Sequence, residues 1–315
     1  MRIEKELSGI KKNISLKNYT TFKIGGRAKY FFVAKSKEDV IKAVLVAKKM
    51  RLPFFILGGG SNILVSDRGF KGLVVKIESG MWNVEGSKIY AGAGVLLNQL
   101  VHLALKNNLM GLEWAVGIPG TVGGAIYGNA GAFGKSIGDS VKKVEVLDTK
   151  DLRFKIYDLK KCKFGYRNSI FKEKKNLIIL SAIIQLKKGN KKEIEKKIKE
   201  YLEYRKKTQP LNFPSAGSVF KNYELRIKKY ELIKKFPELK NFIKKGQIPA
   251  GWLIEKCGLK GKKIGKAKIS EKHGNFILNL GVAKAKDVKK LINLIKKKVK
   301  EKFGITLEEE VAILS

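Results

Sequence analysis

Apolar positions in this chain recur with two periods, and the period changes mark out the elements. Val40, Ala43, Val44 and Ala47 fall on one stripe of residues 37–50, which predicts a helix with a single buried face. Phe54–Leu57 and Ile63–Val65 are short, fully apolar runs that read as buried strands. Further strands are predicted at 73–77, 88–91, Val141–Asp148 and 177–186, with a helix over 96–107 between the second and third. The character then changes. Asn190 is placed to cap a helix that carries Ile194, Ile198 and Leu202 at spacings of four. Pro210 and Pro214 bracket a loop after it, and short strands mix with helix up to residue 300. Val288, Leu291, Ile292, Ile295 and Val299 form the stripe of a long amphipathic helix, with Gly304 suited to its C-terminal cap. Residues 305–314 read as a final strand.

A length of 315 residues allows two or three domains, and at 44% hydrophobic the chain can bury a true core. No apolar run reaches the roughly 18 residues that a membrane helix needs. MRIEKELSGI lacks the apolar centre of a secretion signal. Cys162 and Cys257 stand far apart without metal-ligand spacing, and only His102 and His273 add imidazoles, so no disulfide framework and no metal site is expected. The expectation is a cytoplasmic protein without membrane attachment.

Charge changes this picture less than its size suggests. The formal net charge is +39, which invites a nucleic-acid reading. Yet only 8 of the 67 basic residues are Arg, the commoner reader of bases and phosphates. The lysines are dispersed at helix-surface spacing, as at Lys191, Lys192, Lys196, Lys197 and Lys199. They read as solvated faces, and no dedicated nucleic-acid partner is expected.

Against this background one uncharged segment stands out. Residues 117–134, GIPGTVGGAIYGNAGAFG, hold seven glycines in eighteen residues and no charged side chain. Glycine permits close backbone approach, and successive N–H groups can cradle an anion without lysine. The segment reads as a cradle for a phosphorylated cofactor or as a tight run of turns between strands. A second cluster, Gly58, Gly59, Gly60, Ser61 and Asn62, lies between the runs Phe54–Leu57 and Ile63–Val65. Strand–glycine–strand differs from the strand–glycine–helix of a dinucleotide fingerprint, and no P-loop pattern occurs. Two glycine clusters on a β-rich scaffold suggest a diphosphate held between two loops of a non-Rossmann fold.

Three constellations carry candidate chemistry. In FGYRNS, Arg167 follows Tyr166 in a glycine-containing turn, where a guanidinium can grip a carboxylate at two points or make an ordinary surface ion pair. In PSAGSVFKN, Ser218 offers a hydroxyl, with the amine of Lys221 and the amide of Asn222 close behind. Glu308, Glu309 and Glu310 open an apolar stretch near the C-terminus, either as functional acids or as solubilising charge. Ser218 has no G-x-S-x-G elbow, so a hydrolase triad is not indicated.

These motifs, taken in order, resemble those of the UDP-N-acetylenolpyruvoylglucosamine reductase (MurB) family. The resemblance runs through YTTFKIGG, LGGGSNILVSD, GIPGTVGGAIYGNAGAFG, FGYRNS, PSAGSVFKN and AGWLIEKCGLKGKKIGKAKISEKHGNFILN to the Glu310–Val311 pair, nearly the whole chain. It implies an α+β protein in which two subdomains, 1–70 and 71–200, form an FAD-binding fold of the vanillyl-alcohol-oxidase (PCMH) type. An α/β domain over 201–303 would bind the UDP-sugar, and 304–315 would return as a strand to the flavin body.

The resemblance further implies non-covalent FAD, with NADPH as hydride donor and UDP-N-acetylglucosamine enolpyruvate as substrate in peptidoglycan precursor synthesis. Gly58, Gly59, Gly60, Ser61 and Asn62, with Gly117, Ile118, Pro119, Gly120, Thr121, Gly123 and Gly124, would hold the cofactor. Arg167 would bind the substrate carboxylate as it becomes enolate-like, with a protonated Glu310 beside it. Ser218 would deliver the proton. Tyr166, Lys221 and Asn222 would contact substrate. The chain departs from the family pattern at Ala312, where Arg is common, and at Tyr223, where Pro is common. The short stretch between Phe171 and Leu177 points to the branch without an extra lid loop. A flavin oxidase of the same cofactor fold is the rival within enzymes, and a basic nucleic-acid-binding protein is the rival from another class.

Overall fold

The computed structural model describes residues 3–225, 230–243 and 246–315, apart from the side chains of residues 230 and 231. The chain forms two compact units. The first comprises the N-terminal segment through Ile14, Arg27–Gly60 and Phe70–Lys207, and the second Ser15–Gly26, Ser61–Gly69 and Thr208–Ser315.

The first unit contains two sheets. One is ordered Lys11–Ser15, Arg27–Ala34, Phe70–Ile77, Phe54–Leu57, and the last two strands named both run parallel to their neighbours. Parallel pairing requires a crossover, supplied by the helix Lys37–Lys49. Its Ser36 and Asp39 form a reciprocal capping box, and Val40, Ala43, Val44 and Ala47 are buried as the stripe requires. The other sheet is a five-stranded antiparallel layer, ordered Arg153–Asp158, Val141–Asp148, Leu177–Gln185, Lys88–Gly92, Trp82–Glu85. The helices Leu97–Lys106 and Val122–Gly128 bury Leu100, Val101, Val122 and Ile126 in the same core as the sheets. The helix Lys191–Thr208 closes this unit, and the side chain of Asn190 accepts from the N–H of Lys192 at 2.9 Å, as a cap should.

In the second unit the helix Ala285–Phe303 lies on a three-stranded antiparallel sheet of Lys263–Ile264, Ala267–Ile269 and Ile277–Asn279. Its apolar stripe is buried, and Gly304 ends it in the left-handed conformation at φ 65°. The first N–H groups of that helix are capped from far away in sequence. Asp67 accepts from Ala285 and Lys286 at 2.8 and 3.0 Å. Asn279 similarly donates to the carbonyl of Phe22 at 3.0 Å and accepts from Gly281 and Ala283.

Phe54–Leu57 and Ile63–Val65 are strands as expected, and they belong to different sheets. The first pairs with Phe70–Ile77 in the first unit, and the second pairs with Ala312–Leu314 in the other. Only Ala312–Leu314 of the stretch 305–314 is strand, because Ile305 and Leu307 bury their side chains without a continuous ladder partner. The glycine segment is not a plain run of turns either, since Val122–Gly128 is helical, started by the Thr121 side chain and stopped at Asn129 with φ 44°.

Candidate active site

The two glycine clusters of the first unit touch. A Cβ built on Gly59 would fall 2.6 Å from Cα of Gly120, and one on Gly58 would fall 2.7 Å from Oγ1 of Thr121. Only hydrogen at these Cα positions allows the loops to meet. The amine of Lys76, on the adjacent strand, donates to the Gly58 carbonyl at 2.8 Å and turns that peptide in a fixed direction. Burial pushes the Lys76 amine below the usual lysine range, with Glu78 acting in the opposite sense.

Several N–H groups of the second cluster serve the fold itself. Gly117 donates to Oδ1 of Asn98, Ile118 to the carbonyl of Ala115, Gly123 to that of Ala93, and Gly124 to Oγ1 of Thr121. Among the described residues, the backbone N–H groups of Gly59, Gly60, Gly120 and Thr121 have no acceptor within the protein. Pro119 between them has no N–H to offer and is exposed. These are uncharged donors on two touching loops, the arrangement that a diphosphate needs.

The downstream end of the same segment positions Arg167. Asn129 donates to the Gly165 carbonyl at 2.8 Å and accepts from Gly138 at 3.0 Å. Gly165 and Asn168 exchange backbone hydrogen bonds of 3.0 and 3.2 Å, closing a tight turn with Arg167 at φ 52°. Buried Ser169 anchors the turn to the Tyr127 carbonyl at 2.7 Å. One guanidinium nitrogen of Arg167 reaches the Gly131 carbonyl at 2.9 Å, and its carbon lies 5.7 Å from the Tyr166 ring centre. The motifs GIPGTVGGAIYGNAGAFG and FGYRNS contain these supports without marking them; Asn129 and Ser169 could have been found as polar residues in otherwise apolar or glycine-rich surroundings.

The second unit brings together the serine motif and the C-terminal acids. The N–H of Glu310 donates to the Val219 carbonyl at 2.8 Å, that of Lys221 to the Glu308 carbonyl at 2.9 Å, and Phe220 bridges Glu309. The side chains of the first two acids are occupied by lysines: Glu308 by Lys221 at 2.5 Å and Glu309 by Lys296 at 2.9 Å. The Glu310 carbonyl accepts from Asn62 at 3.2 Å. Asn222 accepts from the Ala250 N–H at 3.2 Å at the start of the helix Ala250–Lys256. Ser61, in the same unit, is half-buried.

Asn275 is a functional support that the sequence reading missed. Its buried side chain accepts from the Phe220 N–H at 3.0 Å and donates to the Phe220 carbonyl at 2.8 Å, while its carbonyl accepts from Val219 at 2.9 Å. The Asn275 N–H in turn donates to Nδ1 of His273 at 3.2 Å, so that ring nitrogen carries no proton. Burial, with Lys260 helping and Glu255 opposing, holds the His273 imidazole below its ordinary value. His273 and Asn275 thus fix the chain immediately after Ser218.

The first unit carries a glycine-loop cradle suited to a diphosphate, and the second sets the Ser218 segment beside Glu308–Glu310, features that suit a flavin-dependent oxidoreductase. Residues 28–152 match the FAD binding domain family, and residues 209–314 match the UDP-N-acetylenolpyruvoylglucosamine reductase C-terminal domain. The UDP-N-acetylenolpyruvoylglucosamine reductase of Caldanaerobacter subterraneus subsp. tengcongensis is 46% identical over 96% of this chain and 92% of its own. That of Caldicellulosiruptor bescii is 43% identical over 98% of this chain and 92% of its own. The crystal structure of the reductase (MurB) from Thermus caldophilus superposes with a TM-score of 0.78 at 35% identity, covering 96% of this chain and 98% of that one. The chain belongs to the UDP-N-acetylenolpyruvoylglucosamine reductase family.

Proposed function

We propose that this protein reduces UDP-N-acetylglucosamine enolpyruvate to UDP-N-acetylmuramate at the expense of NADPH, in peptidoglycan precursor synthesis. Family membership over nearly the full chain supports the reading. The observation that carries it at the site is the backbone pairing of the Ser218–Lys221 segment with Glu308–Glu310, which brings a hydroxyl-bearing segment alongside a carboxyl-bearing one. Bound FAD supplies hydride transfer from NADPH to the enolpyruvyl methylene carbon. Gly58–Asn62, Gly117–Thr121, Gly123 and Gly124 would hold it without a covalent bond. Arg167 binds the substrate carboxylate and stabilises negative charge as it spreads there. Glu310 donates a hydrogen bond to the same group in its protonated form. Ser218 gives its Oγ proton to the carbon that bears the ether and carboxylate, completing the lactyl ether. Tyr166, Lys221 and Asn222 orient the substrate.

The domain reading belongs to the same proposal: 1–70 and 71–200 for the cofactor, 201–303 for the UDP-sugar and 304–315 for the return of Glu310. So does a cytoplasmic setting, which suits NADPH and the two free thiols. Among the described residues no helix is long and apolar enough to cross a membrane.

The test is direct. The purified protein is yellow, and acid precipitation releases its flavin to the supernatant. Anaerobic addition of NADPH bleaches it, and the enolpyruvyl sugar nucleotide restores the colour with UDP-N-acetylmuramate detected by mass. A colourless protein that takes up no FAD, or a reduced protein reoxidised by oxygen but not by this substrate, would sink the proposal. The second result would favour a flavin oxidase.

A further inference from the structure

Arg205, on the last turns of the helix Lys191–Thr208, is only 6% exposed. One terminal nitrogen donates to the Trp114 carbonyl at 3.1 Å, and the guanidinium carbon lies 5.2 Å from the Phe133 ring centre. Phe133 is held in turn by stacking on Tyr201 at 4.2 Å. The Nε atom is buried and has no hydrogen-bond partner. Burial lowers the pKa of its guanidinium, and among the described residues no carboxylate forms an ion pair with it. A buried, hydrogen-bonded cation without a counter-ion costs several kcal/mol. A carbonyl and an aromatic face do not explain why the chain keeps Arg here.

Its position supplies an explanation. A Cβ built on Gly117 would lie 3.3 Å from Cδ of Arg205 and 3.9 Å from its Nε. Gly117 and Phe133 lie at the two ends of the uncharged glycine segment, so Arg205 touches both of its ends from below. That segment carries, with the Gly59–Gly60 loop, the backbone donors without acceptors. Neutral N–H groups orient an anion but do not neutralise it.

We propose that Arg205 is the counter-cation of the bound flavin nucleotide, completing its own buried charge when the cofactor enters the glycine cradle. This rests on the FAD reading given above. The anion is either the diphosphate or the flavin ring in its reduced, negatively charged state; the neutral donors of the cradle favour the diphosphate. Arg205 is a binding residue in this role and does not touch the enolpyruvyl group.

The experiment compares apo-protein of the wild type, Arg205→Met and Arg205→Lys for affinity toward FAD and riboflavin, and measures the midpoint potential of bound FAD. Riboflavin shares the ring and lacks the diphosphate. With the diphosphate as partner, Arg205→Met weakens FAD about 10- to 100-fold, the scale of a charged hydrogen bond. Riboflavin affinity then changes little, and Arg205→Lys restores part of the loss. With the reduced ring as partner, the oxidised affinities hold and the potential falls by about 30–60 mV, the same range of fold-change for a two-electron couple. Equal losses for both ligands at unchanged potential would reduce Arg205 to a structural clamp and overturn the proposal, as would no change in any measurement. Where Arg205→Met does not fold, Arg205→Gln removes the charge while keeping a polar side chain, and gives the same reading. A wild type that binds no FAD would instead remove the functional reading beneath it.

Discussion

The backbone N–H of Glu310 donates to the carbonyl of Val219 across 2.8 Å. That bond sets the register between the C-terminal acids and the serine motif. Glu308 pairs with Lys221 and Glu309 with Lys296, so each of these two acids has a defined place beside the serine motif or the long helix. The same segment continues into Ala312–Leu314, which pairs in parallel with Ile63–Val65. A register slip of one residue would turn Glu310 to the other face and bring Glu309 in its place.

In the proposed reaction Ser218 acts only after reduction of the flavin. Ser218→Ala is therefore expected to leave FAD content and the rate of reduction by NADPH near wild type. Reoxidation by the enolpyruvyl substrate slows by about 10²- to 10⁴-fold, the usual scale for a positioned acid. Stopped-flow absorbance of the two half-reactions separates the outcomes. A variant slowed mainly in its reduction by NADPH would remove Ser218 from the role of proton donor.

Arg167 and Glu310 are expected to affect the same half-reaction through charge stabilisation. Arg167→Ala slows reoxidation by about 10²-fold or more, as does loss of an oxyanion donor elsewhere. Glu310→Gln keeps a hydrogen-bond donor and is milder than Glu310→Ala. The comparison is made at saturating substrate, so that weaker binding does not pass for slower chemistry. Equal damage from Gln and Ala would mean that the carboxyl does more than donate a hydrogen bond.

Much of this was legible in the sequence. The stripes of 37–50 and Val288–Val299 gave their helices because one face of each is buried and the other is lysine-rich. Phe54–Leu57, Ile63–Val65 and Val141–Asp148 were read with the boundaries they have. Strands with mixed burial were harder. Arg27–Ala34 and Arg153–Asp158 alternate imperfectly and carry charge, so no periodicity announced them. The helix Val122–Gly128 was hidden by its three glycines, which argue against helix in isolation; contact with Ala93 and burial of Val122 and Ile126 override propensity there. Supports that act across long sequence separations, Asp67 on Ala285 and Asn275 on Phe220, leave no local pattern at all. Motif order carried the candidate site residues; spacing alone left each one open.

Gly59 has the least room of the cradle glycines that meet backbone across the loops, at 2.6 Å from Cα of Gly120. Gly59→Ala is expected to part the loops and leave a folded protein that purifies largely without flavin. The local cost is about 1–3 kcal/mol, typical of overpacking. Gly86→Ala is the control: its Cβ would meet nothing within 4 Å, and its strain at φ 59° lies in a hairpin of another sheet. The ratio of absorbance at 450 nm to that at 280 nm in the purified proteins, about constant across variants if the cradle is not the binding site, decides the matter.

The high positive charge is expected to give only general polyanion attraction. Binding to nucleic acid then depends steeply on salt and little on sequence, losing about 10³-fold or more between 50 and 200 mM salt. Fluorescence anisotropy with unrelated oligonucleotides tests this. Selective binding that persists at the higher salt would restore nucleic acid as a partner.

His273 gives the second unit a pH dependence of defined sign. Burial lowers its pKa from the ordinary 6.5, and the neutral ring accepts the Asn275 N–H that helps to hold the chain about Ser218. Below 6.5 the unfolded chain takes up a proton that the folded one refuses. Stability from this residue is therefore present above that pH and is lost as pH falls toward the folded value. Asp148 of the first unit also has a lowered pKa, held down chiefly by Lys155, but its contribution fades only below the ordinary carboxylate value of 3.8. The His273 window opens at the higher pH. Between pH 7.5 and 5 the thermal midpoint of the wild type should fall, and His273→Gln should start lower and fall less. Reoxidation should slow in that variant while FAD content and reduction by NADPH hold, since His273 reaches the site only through Asn275 and the Ser218 segment. A midpoint that falls equally in both proteins would assign the acid sensitivity to groups other than His273.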